Sequence, residues 1–201
     1  MFRNEKDLYR EVLAGKEKAR RLMYDQSLPY LYGICKRYSI VDDDIDDVLQ
    51  ETYIKAFGNI ESFKWTGEGS FAAWLRKICV NGALNQLSSY KRNRMMTIEN
   101  EQWDDIGDTI EGDWQPGDLQ IPGLGDMPGY SEEMLLSAID SLPEPFRIVF
   151  NLFAVENYHH AEIAQMLNIP EKTSTTRMYR ARKMLAEKIS ETNRKNKVQL
   201  A

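Results

Sequence analysis

Between Met95 and Gly129 the chain carries Pro116, Pro122 and Pro128, with glycines at 107, 112, 117, 123, 125 and 129. Proline removes a backbone donor and glycine raises the entropic cost of ordering, so no long helix or strand crosses this stretch. From Thr97 to Glu133 there are eleven acidic residues and no Lys or Arg, and mutual repulsion keeps such a segment extended. The 201 residues are thereby divided into an N-terminal body (1–94), a flexible acidic linker (95–129) and a C-terminal body (130–201). Each body is small enough to bury only a modest core.

On both sides of the linker the apolar residues recur with helical rather than alternating spacing. Leu28, Leu31, Tyr32 and Cys35 follow it first. Ile45, Val48, Leu49, Thr52, Tyr53, Ala56 and Phe57 then form an unbroken stripe. Acids Asp42, Asp43, Asp44, Asp46 and Asp47 crowd the first turns of that helix, where its dipole favours negative charge, and Gly58-Asn59 marks its end. After a loop at 65–69, Ser70 is the expected N-cap of a helix with Phe71, Trp74, Leu75, Ile78, Cys79 and Gly82 turned inward. Beyond the linker the helical spacing returns with Leu135, Ile139 and Leu142, then with Phe146, Val149, Phe150 and Phe153. The expected fold class is all-α, in two helical domains.

The net charge of −5 hides a strong asymmetry. Phe71 to Arg94 holds Arg76, Lys77, Lys91, Arg92 and Arg94 with no acid, and from Glu171 onward nine basic residues face three acidic ones. Two basic blocks separated by an acidic tether point toward nucleic acid as a partner.

The second block has an internal order of its own. Ile163, Ala164 and Leu167 read as the inner face of a short helix, Asn168 occupies a turn that tolerates the left-handed conformation, and Pro170-Glu171 opens a second helix. This is the layout of a helix-turn-helix. Lys172, Thr173, Ser174 and Thr176 stand in the first turns of that second helix, where hydroxyls reach base edges. Arg177, Arg180, Arg182 and Lys183 follow; arginines near the N-terminal end can join the hydroxyls at base edges, and the later basic residues pair with phosphates.

Three stretches in order resemble the extracytoplasmic-function (ECF) sigma factors: Asp-Asp-Val-Leu-Gln-Glu-Thr-Tyr-Ile-Lys-Ala-Phe at 46–57, Gly-Ser-Phe-Ala-Ala-Trp-Leu-Arg-Lys-Ile-Cys-Val-Asn at 69–81, and the segment from Leu142-Pro-Glu-Pro-Phe to Arg180-Ala-Arg-Lys-Met-Leu185. The likeness leaves out the linker and the extreme ends. It implies a promoter-selecting subunit whose partners are core RNA polymerase (its β′ clamp and β flap) and promoter DNA, with an anti-sigma factor as a regulatory partner common in the class. Asp43, Asp47, Gln50 and Glu51 would meet the clamp. Trp65, Ser70, Arg76, Lys77, Asn81, Asn85, Lys91 and Arg92 would open and read the −10 element. The 171–183 helix would read the −35 element. Ser174 and Lys172 depart from the family pattern, which more often has an apolar residue and a glycine there.

Other classes fit less well. A DNA-binding regulator acting alone explains the helix-turn-helix but not the blocks at 42–57 and 69–81. An enzyme needs a phosphate loop, a nucleophile–base pair or a metal cluster, and the chain offers none, so no catalytic residue, cofactor or metal is expected. His159 and His160 have no Cys or further His nearby to complete a zinc site. Cys35 and Cys79 lack metal spacing and read as buried thiols. Met1 to Arg21 is charged throughout, and no apolar run reaches membrane-spanning length. The expected location is the cytoplasm, without membrane insertion.

Overall fold

The computed structural model describes residues 2, 4–93, 116 and 131–199; the linker expected at 95–129 lies outside them except for Pro116. All regular structure among the described residues is helical. The chain separates into two compact units, Met1–Met96 and Thr97–Ala201.

The N-terminal unit contains α1 (Glu5–Leu13), α2 (Glu17–Arg37), α3 (Asp42–Gly58), a 3-10 turn (Ile60–Ser62) and α4 (Ser70–Asn93). The stripe read from the sequence is the face by which α3 packs: Ile45, Val48, Leu49, Thr52, Tyr53 and Ala56 are buried. Helix α4 lies against α1, α2 and α3, burying Phe71, Leu75, Cys79, Val80, Ala83, Leu84 and Leu87. Gly82 faces α3, where a methyl would stand 3.5 Å from Val48 Cγ1 and 3.7 Å from Thr52 Oγ1. Cys35 and Cys79 are buried, unbridged thiols with their sulfurs 4.0 Å apart, well beyond the length of a disulfide bond.

Three details differ from the sequence reading. Tyr32 is exposed, at 41%, because Leu31, Ile34 and Cys35 already fill the inner side of α2. Trp74 is half-buried rather than central, leaning on Phe63 and Phe71 at ring distances of 5.2 and 5.7 Å. Ser70 is the first residue of α4 rather than its cap; its hydroxyl donates to Gly67 O at 2.6 Å.

The C-terminal unit holds α5 (Glu132–Asp140), α6 (Glu144–Phe150), a π-helical turn (Asn151–Val155), α7 (His160–Leu167) and α8 (Glu171–Gln199). Ser131 caps α5 by accepting from Met134 N at 3.2 Å, and Pro145 sits in the first turn of α6, where no backbone donor is lost. Helix α8 is the backbone of this unit and packs on α5, α6 and α7. Its buried residues Ser174, Met178, Ala181, Arg182, Leu185 and Ile189 recur at helical spacing.

Candidate nucleic-acid and polymerase interface

On α3 the side away from the core carries Asp43, Asp47, Gln50 and Glu51, all exposed. Their i, i+4, i+7, i+8 spacing places them on one face. Glu51 pairs with Lys55 at 2.7 Å, and Asp42, the residue before Asp43, is held by Lys36. Exposed pairs of this kind contribute little to stability. The face thus presents the exposed carboxylates of Asp43 and Asp47, with Glu51 paired to Lys55.

The approach to α4 is built differently. Loop residues 63–69 contain two glycines at positive φ, Gly67 (148°) and Gly69 (86°), which only glycine adopts without strain. Trp65 is half-exposed and stacks on Tyr9, ring centroids 6.1 Å apart at 17°. On α4 itself Lys77, Asn81 and Asn85 are exposed along one line, while Arg76 and Ser70 are half-buried. Lys91 and Arg92 have side chains outside the described residues. A cavity of about 380 Å³ is lined by Tyr30, Gly69, Ala72, Ala73 and Arg76. A second, of about 430 Å³, lies between Lys55, Asn59, Trp74, Ile78 and Asn81, so Asn81 belongs both to the exposed polar line and to a recess beside it.

In the C-terminal unit the turn between α7 and α8 is made as the sequence predicts. Asn168 is in the left-handed conformation at φ 52°, and Ile169 N closes the turn on Ala164 O at 3.0 Å. His159 precedes α7, its backbone N–H donating to Glu162 Oε2 at 2.9 Å. Lys172 and Lys183 are exposed; Thr173, Thr176 and Arg177 are half-buried. Thr176 already donates to Lys172 O at 2.9 Å, leaving only acceptor capacity for another partner.

Three residues expected as DNA contacts are enclosed instead: Ser174 at 0%, Arg182 at 0% and Arg180 at 8% exposure. For Ser174 and Arg182 the reason is register, since both fall on the side of α8 that carries Met178, Ala181 and Leu185. Ser174 finds a partner in His160, Nδ1 to Oγ 2.9 Å, which explains a hydroxyl where an apolar side chain is usual. The His160 ring also stacks on Phe153 at 4.3 Å. Burial, then the positive charge of Arg182 and the neighbouring His159, lower its pKa from 6.5 to about 4, so the ring is neutral at pH 7.

Two residues of this site went unnoticed in the sequence. Glu5 is only 3% exposed, and its carboxylate accepts from Gly69 N and, at 2.6 Å, from Ala72 N. Tyr9 donates to Phe63 O at 3.2 Å. The available signal was Leu8 and Val12 at i, i+4, which makes 5–13 an amphipathic helix.

One helical unit thus carries a charged face and a polar-lined helix, and the other a helix-turn-helix. The family model for sigma-70 region 2 matches residues 23–93, and that for sigma-70 region 4 matches residues 132–185. The ECF RNA polymerase sigma-E factor of Haemophilus influenzae is 31% identical over 185 residues, covering 90% of this chain and 93% of that protein. Its counterpart in Escherichia coli K12 is 29% identical over 189 residues, covering 90% and 92%. Among solved structures, the sigma factor RpoE of Bartonella quintana in complex with the anti-sigma factor NepR aligns with a TM-score of 0.48 at 20% identity, covering 85% of this chain and 96% of that one. The chain belongs to the ECF sigma factors of bacterial RNA polymerase: it recognises promoters and directs transcription initiation. No helix among the described residues is long and apolar enough to cross a membrane.

Proposed function

We propose a division of labour among three surfaces, with residues 1–94 and 130–201 as the working domains, 95–129 as their tether, and the cytoplasm as the place of work. The face of α3 formed by Asp43, Asp47, Gln50 and Glu51 docks on basic groups of the polymerase β′ clamp. Loop 65–69 and α4 engage the −10 element, Trp65 stacking on an unpaired base, which is worth about 1–3 kcal/mol. Lys77, Asn81 and Asn85 follow one strand, aided by Ser70, Arg76, Lys91 and Arg92. Helix α8 reads the −35 element through Lys172, Thr173, Thr176, Arg177 and Lys183, while the enclosed Ser174, Arg180 and Arg182 set its pose. The C-terminal body would rest on the β flap.

The observation that carries this reading is the alignment of Lys77, Asn81 and Asn85 on the exposed side of α4, directly beyond the loop that presents Trp65. No bond chemistry is assigned to the chain; nucleotide addition belongs to the polymerase. The assignment is tested by alanine replacement of each surface in turn, scoring core binding, −10 strand opening by permanganate reactivity, and −35 binding separately. Asp43/Asp47 variants should lose the first, Trp65/Asn81 variants the second and Lys172/Arg177 variants the third. Equal losses in all three assays for every variant would refute separate roles.

A further inference from the structure

Helix α4 begins after two glycines at positive φ, a conformation with no intrinsic preference for one loop path. The first turn of any helix leaves backbone N–H groups without intrahelical partners. A Ser at position 70 is the local candidate to satisfy them, but it is already the first residue of the helix, and its hydroxyl bonds back into the loop, donating to Gly67 O at 2.6 Å and accepting from Thr66 N at 3.4 Å. The carboxylate of Glu5 does so instead, from another helix: Gly69 N and Ala72 N, 64 and 67 residues away in sequence, both donate to it. A carboxylate facing the positive end of a helix dipole is also electrostatically favoured there.

One turn along α1, Tyr9 holds the other end of the same loop. Its hydroxyl donates to Phe63 O at 3.2 Å, and its ring meets Phe63 at 5.1 Å, Trp65 at 6.1 Å and Phe71 at 5.5 Å. Glu5 and Tyr9 stand at i and i+4 and share a face. Between them they tie the entry of the loop, its tryptophan and the first turn of α4 to α1, a helix that lies outside the region 2 match at 23–93.

We propose that Glu5 and Tyr9 are positioning residues for promoter opening: α1 braces loop 63–69 in the conformation that presents Trp65 and the start of α4 to the −10 strand. This rests on the reading of that loop as the −10 contact. A loop that must otherwise be ordered on DNA charges its ordering entropy to the opening step. With the brace in place, that cost is met on folding. The brace therefore matters where melting must be captured and is dispensable where the strands are already apart.

The test uses holoenzyme assembled with the full-length chain carrying Glu5→Gln, Tyr9→Phe or Trp65→Ala. Glu5→Gln keeps the shape but turns an amide N–H₂ against one of the two backbone donors. Tyr9→Phe keeps the ring and removes only the bond to Phe63. Each is assayed for core affinity, and for transcription from one promoter as an intact duplex and as the same DNA with its −10 region mismatched open. For Glu5→Gln we expect unchanged core affinity, near wild-type output on the opened template and a loss of about ten-fold on the duplex, the equivalent of one charge-assisted hydrogen bond. Tyr9→Phe should show the same split at smaller size. Equal loss on both templates would reduce Glu5 to a general stabiliser and overturn the proposal. No loss for Glu5→Gln or Tyr9→Phe, with Trp65→Ala impaired, would also overturn it while leaving the −10 reading intact. Trp65→Ala without effect on either template would instead remove the −10 reading, and this proposal with it.

Discussion

Acid should weaken the C-terminal body through a single side chain, His160. Its ring is stacked on Phe153 of the π-helical turn, bonded to Ser174 of α8, and near the Arg182 guanidinium and His159. Burial is the main cause of its depressed pKa, about 4 against 6.5, with the charges of Arg182 and His159 adding to it. In the unfolded chain it titrates near the ordinary value of about 6.5. Between those two values the unfolded state binds the extra proton, so unfolding is favoured as pH falls. The contribution is fully present above about pH 6.5 and is lost as pH falls toward 4. A displacement of that size corresponds to about 3 kcal/mol at most, and closer to 2 for a ring that is only half-buried. A helical body of this length has roughly 3–10 kcal/mol in all, so the effect is measurable.

The chain has only two histidines, which makes the assay simple. Proton NMR of the two imidazole signals from pH 8 to 4, with hydrogen exchange of the α7 and α8 amides, reads both the titration and its consequence. The His160 signal should hold its neutral position at about pH 5, with protection of α8 already falling. Replacing His160 with Phe should flatten the pH dependence across that window. A His160 signal with its midpoint at the ordinary value, or an unchanged pH slope in the Phe variant, would refute the reasoning.

Four further outcomes follow from the packing and the charge. Gly82→Ala should stabilise the N-terminal body: the added methyl meets Val48 and Thr52 at ordinary contact distances, helix propensity improves by up to about 1 kcal/mol, and thermal melting should rise by about 4–8 °C; a fall would mean that α3 has no room for it. Lys172→Gln and Lys183→Gln should each reduce the salt dependence of promoter binding by about one ion in the log–log slope. Buried Arg182→Gln should instead lower the melting temperature, and binding measured from 50 to 300 mM salt, read as a trend of order tenths molar, separates the two behaviours. Cys35 and Cys79, both buried, should resist a thiol reagent in the native protein and react together on unfolding. Rapid labelling of either one alone would contradict the close-packed seam between α2 and α4.

The elements whose apolar residues all point one way were legible in the sequence. The stripe from Ile45 to Ala56 became the buried face of α3, and Asn168 and Pro170 marked the turn before α8, because periodicity and turn chemistry are local properties. What escaped were relations between distant residues. Ser70 looked like a cap because nothing local reveals that Glu5 reaches the same N–H groups from α1. Arg182 looked like a phosphate ligand because a run of basic residues carries no register; its place beside Met178, Ala181 and Leu185 is fixed only when α8 packs. Pro29 sits within α2 on its exposed side, a position that propensity alone would treat as a break.

The central claim is tested most directly by run-off transcription with purified core polymerase on fragmented genomic DNA, with and without this chain. Discrete transcripts that appear only when it is present, with start sites downstream of a shared pair of sequence elements, are the predicted result. Absence of such transcripts, together with failure of the chain to co-elute with core polymerase, would contradict the account.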